Sequence, residues 1–313
     1  MPPEVKIYGL LYFDPENDRH VNISSRQKTI DIYLLCAANC SRLLRDLGVS
    51  FTLITNNRTL LTERLLSLSI SSLQVLEYRF TLSVPAGVPF YSAHFKLELC
   101  NAFASGHFGE YVALIDIDTL PLRSLPVSEH LSAYEISDQI FPRYGRDVVV
   151  RDLEILAGKG LPDGRWYGGE FVMGSADQFR VLAEFINECW PRYVANIGAV
   201  HHLGDEMVLS AALNLYSEKH RVADYGAPGH VARWWSSRTF NKQATFKDVR
   251  NAALLHLPAD KPFLATLVRN GANRFPILDA YEKHVRSKLL LRSLIPAYGL
   301  LGRLAKRFMP RLS

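Results

Sequence analysis

Residues 111–118 read Tyr-Val-Ala-Leu-Ile-Asp-Ile-Asp, a run of five apolar residues that gives out at two carboxylates spaced two apart. An apolar run that short, with no polar alternation, is the signature of a strand covered on both faces. Working outward toward the N-terminus, apolar residues at helical spacing occupy about 92–104, a strand pattern lies near 73–78, and a weaker helical stretch covers 60–68. Before these come a strand at Val49–Thr55, a helix from about Thr29 to Asp46, and a first strand within 4–14 that ends in Tyr12, Phe13 and Asp14. Parallel strands need helical crossovers, so this alternation predicts an α/β fold: a Rossmann-like sheet with helices on both faces. Ligands of such sheets bind beyond the carboxyl ends of the strands. Asp14, Asn56 and Asp116 are therefore expected along one crevice, with Tyr12 and Phe13 placed to stack on a nucleotide base and Asn56 beside them. After Leu125 the pattern turns irregular, apart from helices expected at about 176–190 and 204–215.

The chain has 313 residues, 48% of them apolar, which is enough for a packed core. A main domain over 1–280 and a tail over 281–313 are expected. No apolar run reaches membrane-spanning length, and MPPEVKIYG lacks the hydrophobic region of a signal peptide, so the expected location is cytoplasmic. Cys36, Cys40, Cys100 and Cys189 are spaced neither as a disulfide framework nor as zinc-ligand pairs, and are expected to be reduced core thiols. The net charge is +5, yet eight cations and no acid lie from Lys283 onward, so the body before them is net acidic. That distribution argues against a nucleic-acid partner for the main domain.

Residues i and i+2 of an extended chain share a side, so Asp116 and Asp118 can approach one ion. Mg²⁺ and Mn²⁺ take oxygen ligands and keep positions open for substrate phosphates. The run LIDIDTLPL, holding Asp116, Ile117 and Asp118, resembles the metal-binding segment of GT-A glycosyltransferases. Two more segments fall in the order of that fold. Tyr91-Ser-Ala-His-Phe-Lys96 resembles the helix whose basic residue faces the nucleotide sugar in family 8-like enzymes. Trp166-Tyr167-Gly168-Gly169-Glu170 resembles the small-residue segment that passes close to the transferred sugar, where only glycine allows the approach.

Asp205-Glu206 opens an apolar helix, a position where acids complement the helix dipole. The pair is also similar to the acidic pattern of retaining GT-A enzymes. Family 8-like members usually have Gln at the second position, and the blood-group-like α-galactosyltransferases have Glu, as here. The resemblance implies that Glu206 acts as nucleophile or charge stabiliser; an inverting enzyme would use it as a general base. Finally, His256-Leu-Pro-Ala-Asp-Lys261-Pro-Phe resembles a family 8-like segment in which His completes the metal site and Lys grips the diphosphate. Here the spacing is one residue shorter, the glycine is missing and Phe263 replaces Trp.

The resemblance implies a retaining transferase that takes a nucleoside-diphosphate sugar, a UDP-sugar before others, with Mn²⁺ or Mg²⁺, and passes the sugar to a glycan or glycolipid. Lipopolysaccharide, capsule or other cell-surface glycan synthesis is the expected setting. Residues 283–313 mix apolar and cationic types without acids, a composition suited to an anionic membrane surface and hence to peripheral binding at the inner face. Two rivals are a sugar-phosphate nucleotidyltransferase and a non-catalytic, membrane-bound nucleotide-sugar-binding protein. The first normally carries a Gly-rich phosphate loop after its first strand, and LYFDPENDRH has no glycine.

Overall fold

The computed structural model describes residues 4–14, 26–237, 239, 241–269 and 276–288, with backbone alone at 26–28 and 269. The chain divides into two compact units, the first ending at Val268 and the second beginning at Arg269. In the first unit β1 (Val5–Leu10), α1 (Arg26–Arg45), β2 (Phe51–Thr55), α2 (Arg58–Ser67) and β3 (Gln74–Glu77) lead through a 3-10 turn at Tyr91–His94 into α3 (Phe95–Phe103) and β4 (Tyr111–Ile115). The second half adds β5 (Thr119–Pro121), β6 (Leu131–Glu135), α4 (Ser137–Tyr144), α5 (Arg146–Ala157), β7 (Tyr167–Ser175), α6 (Ala176–Asn196) and α7 (Asp205–Ser217). Then follow β8 (Val222–Asp224), β9 (Val231–Arg233), α8 (Phe246–Val249), β10 (Leu254–His256) and α9 (Lys261–Arg269).

Seven strands form a central sheet in the order β3-β2-β1-β4-β7-β6-β8. β1 pairs in parallel with β2 on one side and β4 on the other, whereas β7 runs antiparallel to both β4 and β6. The chain steps outward from β1 to β3, then returns past β1 to β4. Right-handed crossovers therefore put α1 and α2 on one face and α3 on the other. Accordingly α1 packs on β2 and α2, while α3 packs with α6 and α7. The reversal of strand order falls between β1 and β4, where such sheets open a crevice. β4 is buried at every position, as its unbroken apolar run requires.

A second sheet of three strands, β5-β10-β9, is built from short segments of distant sequence. β10 runs antiparallel to β5, with His256 opposite Thr119, and parallel to β9, with His256 opposite Arg233. All four cysteines are buried. The stretch after Leu125 is more ordered than its sequence suggests. Pro142 lies inside α4 and Gly145, at φ 85°, breaks the chain between α4 and α5, so neither helix shows an uninterrupted period. The valine run 148–150 opens α5 and mimics a strand.

In the second unit, residues 276–288 form a helix, α10. The expected tail beyond residue 288 lies outside the described residues. Among those described, no helix is long and apolar enough to cross a membrane.

Candidate active site

β4 delivers Asp116 and Asp118 to the carboxyl edge of the sheet, but they do not meet along a straight strand. Residues 117 and 118 form a turn, which swings Ile117 into the core and leaves the two carboxylates on the other side. The amide of Asp116 donates to the carbonyl of Glu170 (3.1 Å), and Leu257 donates to the carbonyl of Asp118 (3.0 Å). These two bonds tie the acid turn to β7 and to the end of β10. Asp116, Asp118 and His256 each offer a ligand atom within 4.8 Å of one another. Two carboxylates and an imidazole suit Mn²⁺ or Mg²⁺, with open positions left for phosphate oxygens. His256 Nε2 lies 3.3 Å from Asp118 Oδ1 and 3.6 Å from Asp116 Oδ2, so one nitrogen faces both acids.

Two lysines flank the acids. Lys261, the first residue of α9, is 2.6 Å from Asp118 Oδ2 and donates to the carbonyl of Pro258 at 3.1 Å. Its ammonium also lies 5.7 Å from the centre of the Tyr33 ring, at a cation-π distance. Lys96 on α3 reaches Asp116 Oδ1 and Asp205 Oδ2, both at 2.9 Å, and donates to the carbonyl of Gly169 at 2.8 Å. The contact with Asp205 is an ion pair between two largely buried side chains.

These neighbours set the charge states. Burial alone would raise the carboxyl of Asp118, but Lys261 and His256 outweigh it and hold the group well below the usual carboxylate range. Burial would lower His256, yet Asp118 and Glu170 lift it to about 9. Asp205 goes the other way: burial, reinforced by the charges of Asp116 and Glu206, pushes it up to about 6 despite Lys96. Glu206 stays below its ordinary value because Arg233 and His202 override the burial that would raise it.

Asp205 and Glu206 open α7, whose N-cap is Gly204, so both acids sit at the positive end of the helix dipole. Glu206 Oε2 accepts the indole N–H of Trp166 at 3.2 Å, and its other oxygen is paired with Arg233. Arg233 is an ion-pair partner at the site that motif reading missed. It stands on a three-residue strand, and its only signal in the sequence is a cation inside the apolar run Val231-Ala-Arg-Trp-Trp235.

Trp166, Tyr167 and Glu170 are buried, at 1%, 2% and 2% exposure, and each holds a protein group. The amide of Tyr167 donates to Ser210 Oγ at 2.9 Å, and Glu170 pairs with Arg233 and His256. The neighbouring glycines are required by the protein's own acids. A Cβ on Gly168 would lie 2.1 Å from Glu170 Oε2, and one on Gly169 would lie 2.5 Å from Asp205 Oδ2 and 3.1 Å from Glu206 Cγ.

At the far end of the crevice, Asn56 clamps Phe13 through both backbone groups: the amide of Phe13 donates to Oδ1 (2.8 Å) and Nδ2 donates to its carbonyl (2.9 Å). Asn56 thereby fixes the chain leaving β1. Tyr12 stacks on Phe95 at 3.7 Å with the rings 8° apart, so one of its faces is already covered.

No protein-family model matches this chain. No curated protein matches it either. Among solved structures it is similar to an active-site mutant of LgtC, at 12% identity and a TM-score of 0.48, with 81% of this chain and 87% of that chain covered.

Proposed function

We propose that this chain is a metal-dependent glycosyltransferase of the GT-A type, which binds a nucleoside-diphosphate sugar, a UDP-sugar before others, and transfers the sugar to a hydroxyl of a glycan or glycolipid. The observation that carries this reading is the convergence of Asp116, Asp118 and His256 at the carboxyl edge of β4, beside the β1/β4 crevice, with Asp205 and Glu206 close by. A divalent cation held there supplies positive charge for a departing diphosphate. Lys261, already drawn to Asp118, adds an ammonium to the same end of the site. Lys96 braces Asp116 against Asp205 and keeps the acid turn close to α7.

Glu206 supports retention of anomeric configuration. Both its oxygens are engaged by donors and its charge is favoured, which suits a nucleophile or a stabiliser of positive charge at the anomeric carbon. A general base works best with a pKa near the working pH, and Arg233 moves Glu206 away from that. The nucleotidyltransferase alternative is disfavoured by the turn after β1, where Leu11-Tyr-Phe-Asp14 has no glycine to cradle a phosphate.

Cell-surface glycan synthesis at the cytoplasmic face of a membrane completes the proposal. α10 buries Ile277, Tyr281 and Val285 and leaves Lys283 and Arg286 exposed, so what it offers an anionic surface is charge and not an apolar face. Sedimentation with vesicles of anionic and of neutral lipid tests that part; equal binding to both would refute it.

The site itself is tested by calorimetric titration of UDP and GDP with and without Mn²⁺, on the wild type and on Asp118→Ala. Metal-dependent binding of one nucleotide, lost in the variant, is the expected result. Binding of neither nucleotide, or binding indifferent to Mn²⁺ and to the substitution, would overturn the reading.

A further inference from the structure

Between the three metal-ligand candidates and Glu206 lies a buried pair of opposite charges that touches both groups. Glu170 stands on β7 and Arg233 on β9, and both are at least nine-tenths buried. Glu170 Oε1 lies 3.4 Å from His256 Nδ1 and 2.6 Å from Arg233 Nε. Arg233 Nη2 then donates both to Glu170 Oε2 and to Glu206 Oε1. Beyond it, Glu206 Oε2 takes the indole N–H of Trp166. The contacts run unbroken from His256 through Glu170, Arg233 and Glu206 to Trp166, across β10, β7, β9 and α7.

Burying the Glu170 carboxylate and the Arg233 guanidinium carries a desolvation cost that a hydrophobic pair of the same volume would avoid. Glycine at 168 is a further concession to the same cluster, since a Cβ there would lie 2.1 Å from Glu170 Oε2 and 2.9 Å from Arg233 Nη2. We propose that Glu170 and Arg233 are positioning residues that link the metal pocket to Glu206. Glu170 receives the Nδ1 hydrogen of His256 and so turns Nε2 toward Asp116 and Asp118. A carboxylate behind a metal-binding imidazole fixes tautomer and orientation in this way. The same carboxylate holds Arg233 by two of its nitrogens, and the planar fork passes the constraint to Glu206. A lysine at 233 would keep the charge but not the fork.

This inference rests on the reading of Asp116, Asp118 and His256 as metal ligands, and its test keeps the two apart. Trp166 is the reporter. In protein labelled with ¹⁵N-tryptophan, the indole resonance of Trp166, assigned with Trp166→Phe, is followed as Mg²⁺ is added; Mn²⁺ affinity is read separately from the loss of the free-ion EPR signal. In the wild type the Trp166 resonance shifts with Mg²⁺. Arg233→Lys is expected to bind Mn²⁺ within a few-fold of wild type while the Trp166 resonance no longer responds. Glu170→Gln is expected to bind Mn²⁺ about 10- to 100-fold more weakly.

Should Arg233→Lys lack a cooperative thermal transition, Glu206→Ala takes its place. It removes the far end of the link, leaves Glu170 paired with Arg233, and is expected to keep Mn²⁺ affinity and lose the Trp166 response. A full Mg²⁺-induced shift in either variant overturns the link, as does wild-type Mn²⁺ affinity in Glu170→Gln. Failure of the wild type to bind Mn²⁺ overturns the metal-site reading, and the link with it.

Discussion

At the proposed metal site binding should be strongly pH-dependent, because Asp118 and Glu170 favour a proton on Nε2 of His256 in the free protein. Asp118 and Glu170 together lift the imidazole to about 9, and the cation must displace the proton from Nε2. The metal binds the deprotonated form, so affinity rises with pH until the folded value is passed and is constant above it. At pH 7, about 2 units below that value, the competition costs roughly 2.7 kcal/mol, or about 100-fold in affinity. Between pH 6.5 and 8.5 the apparent association constant for Mn²⁺ should climb close to tenfold per pH unit, and close to one proton should be released per ion bound at pH 7. Titration calorimetry in two buffers of different ionisation enthalpy counts that proton directly. An affinity flat across this range, with no buffer dependence of the heat, would refute the protonation state and the role of His256 with it.

Three further outcomes follow from individual contacts. His94 is fully buried, with Nδ1 against the carbonyl of Phe90 and Nε2 against the hydroxyl of Tyr193, and burial holds it down to about 4. Its folded value is below its unfolded one, so its share of stability is present above about pH 6.5 and is lost as pH falls through 4, amounting to roughly 3 kcal/mol by pH 4; urea unfolding from pH 7 to 4 should show the loss, and His94→Gln should flatten it. Gly169→Ala sets a methyl group against Asp205 and Glu206 and should cost about 1–3 kcal/mol in urea unfolding, with nucleotide binding weakened; wild-type behaviour would show that the glycine is dispensable. Asn56→Ala removes two hydrogen bonds to the backbone of Phe13 and should cost about 1–3 kcal/mol, without changing Mn²⁺ affinity in the absence of nucleotide.

The first half of the fold was legible because each element carries its own signal. β4 was read at its observed limits, and the helices around it came within a few residues, since long amphipathic periods and buried strands are local properties. Legibility stops where local signals end. β5, β9 and β10 have three residues each and exist only because they pair with one another. Arg233 lies on such a strand, and nothing near it in sequence marks it as the partner of residues 63 and 27 positions away. The acids were found because two carboxylates ending an apolar strand are conspicuous, yet their convergence comes from a turn and not from the extended geometry that the spacing suggested. The glycines were read as room for a sugar, and a Cβ at 168 or 169 would also meet Glu170 or Asp205, a constraint that the sequence does not reveal.

The antiparallel pairing of β5 with β10 has a bearing on synthesis. Thr119, next to Asp118, lies directly opposite His256, so the third metal-ligand candidate arrives 138 positions after the second. A chain still emerging from the ribosome can assemble β1 to β4 and present both carboxylates long before the imidazole exists. Until β10 docks, two acids and the ammonium of Lys96 stand without His256 or Lys261, and a register error of one residue would turn His256 to the opposite face. Completion of the site thus reports that the last part of the first unit has been made and correctly paired, and a nascent or truncated chain ending before Leu254 would contain all seven strands of the large sheet while lacking the third metal-ligand candidate.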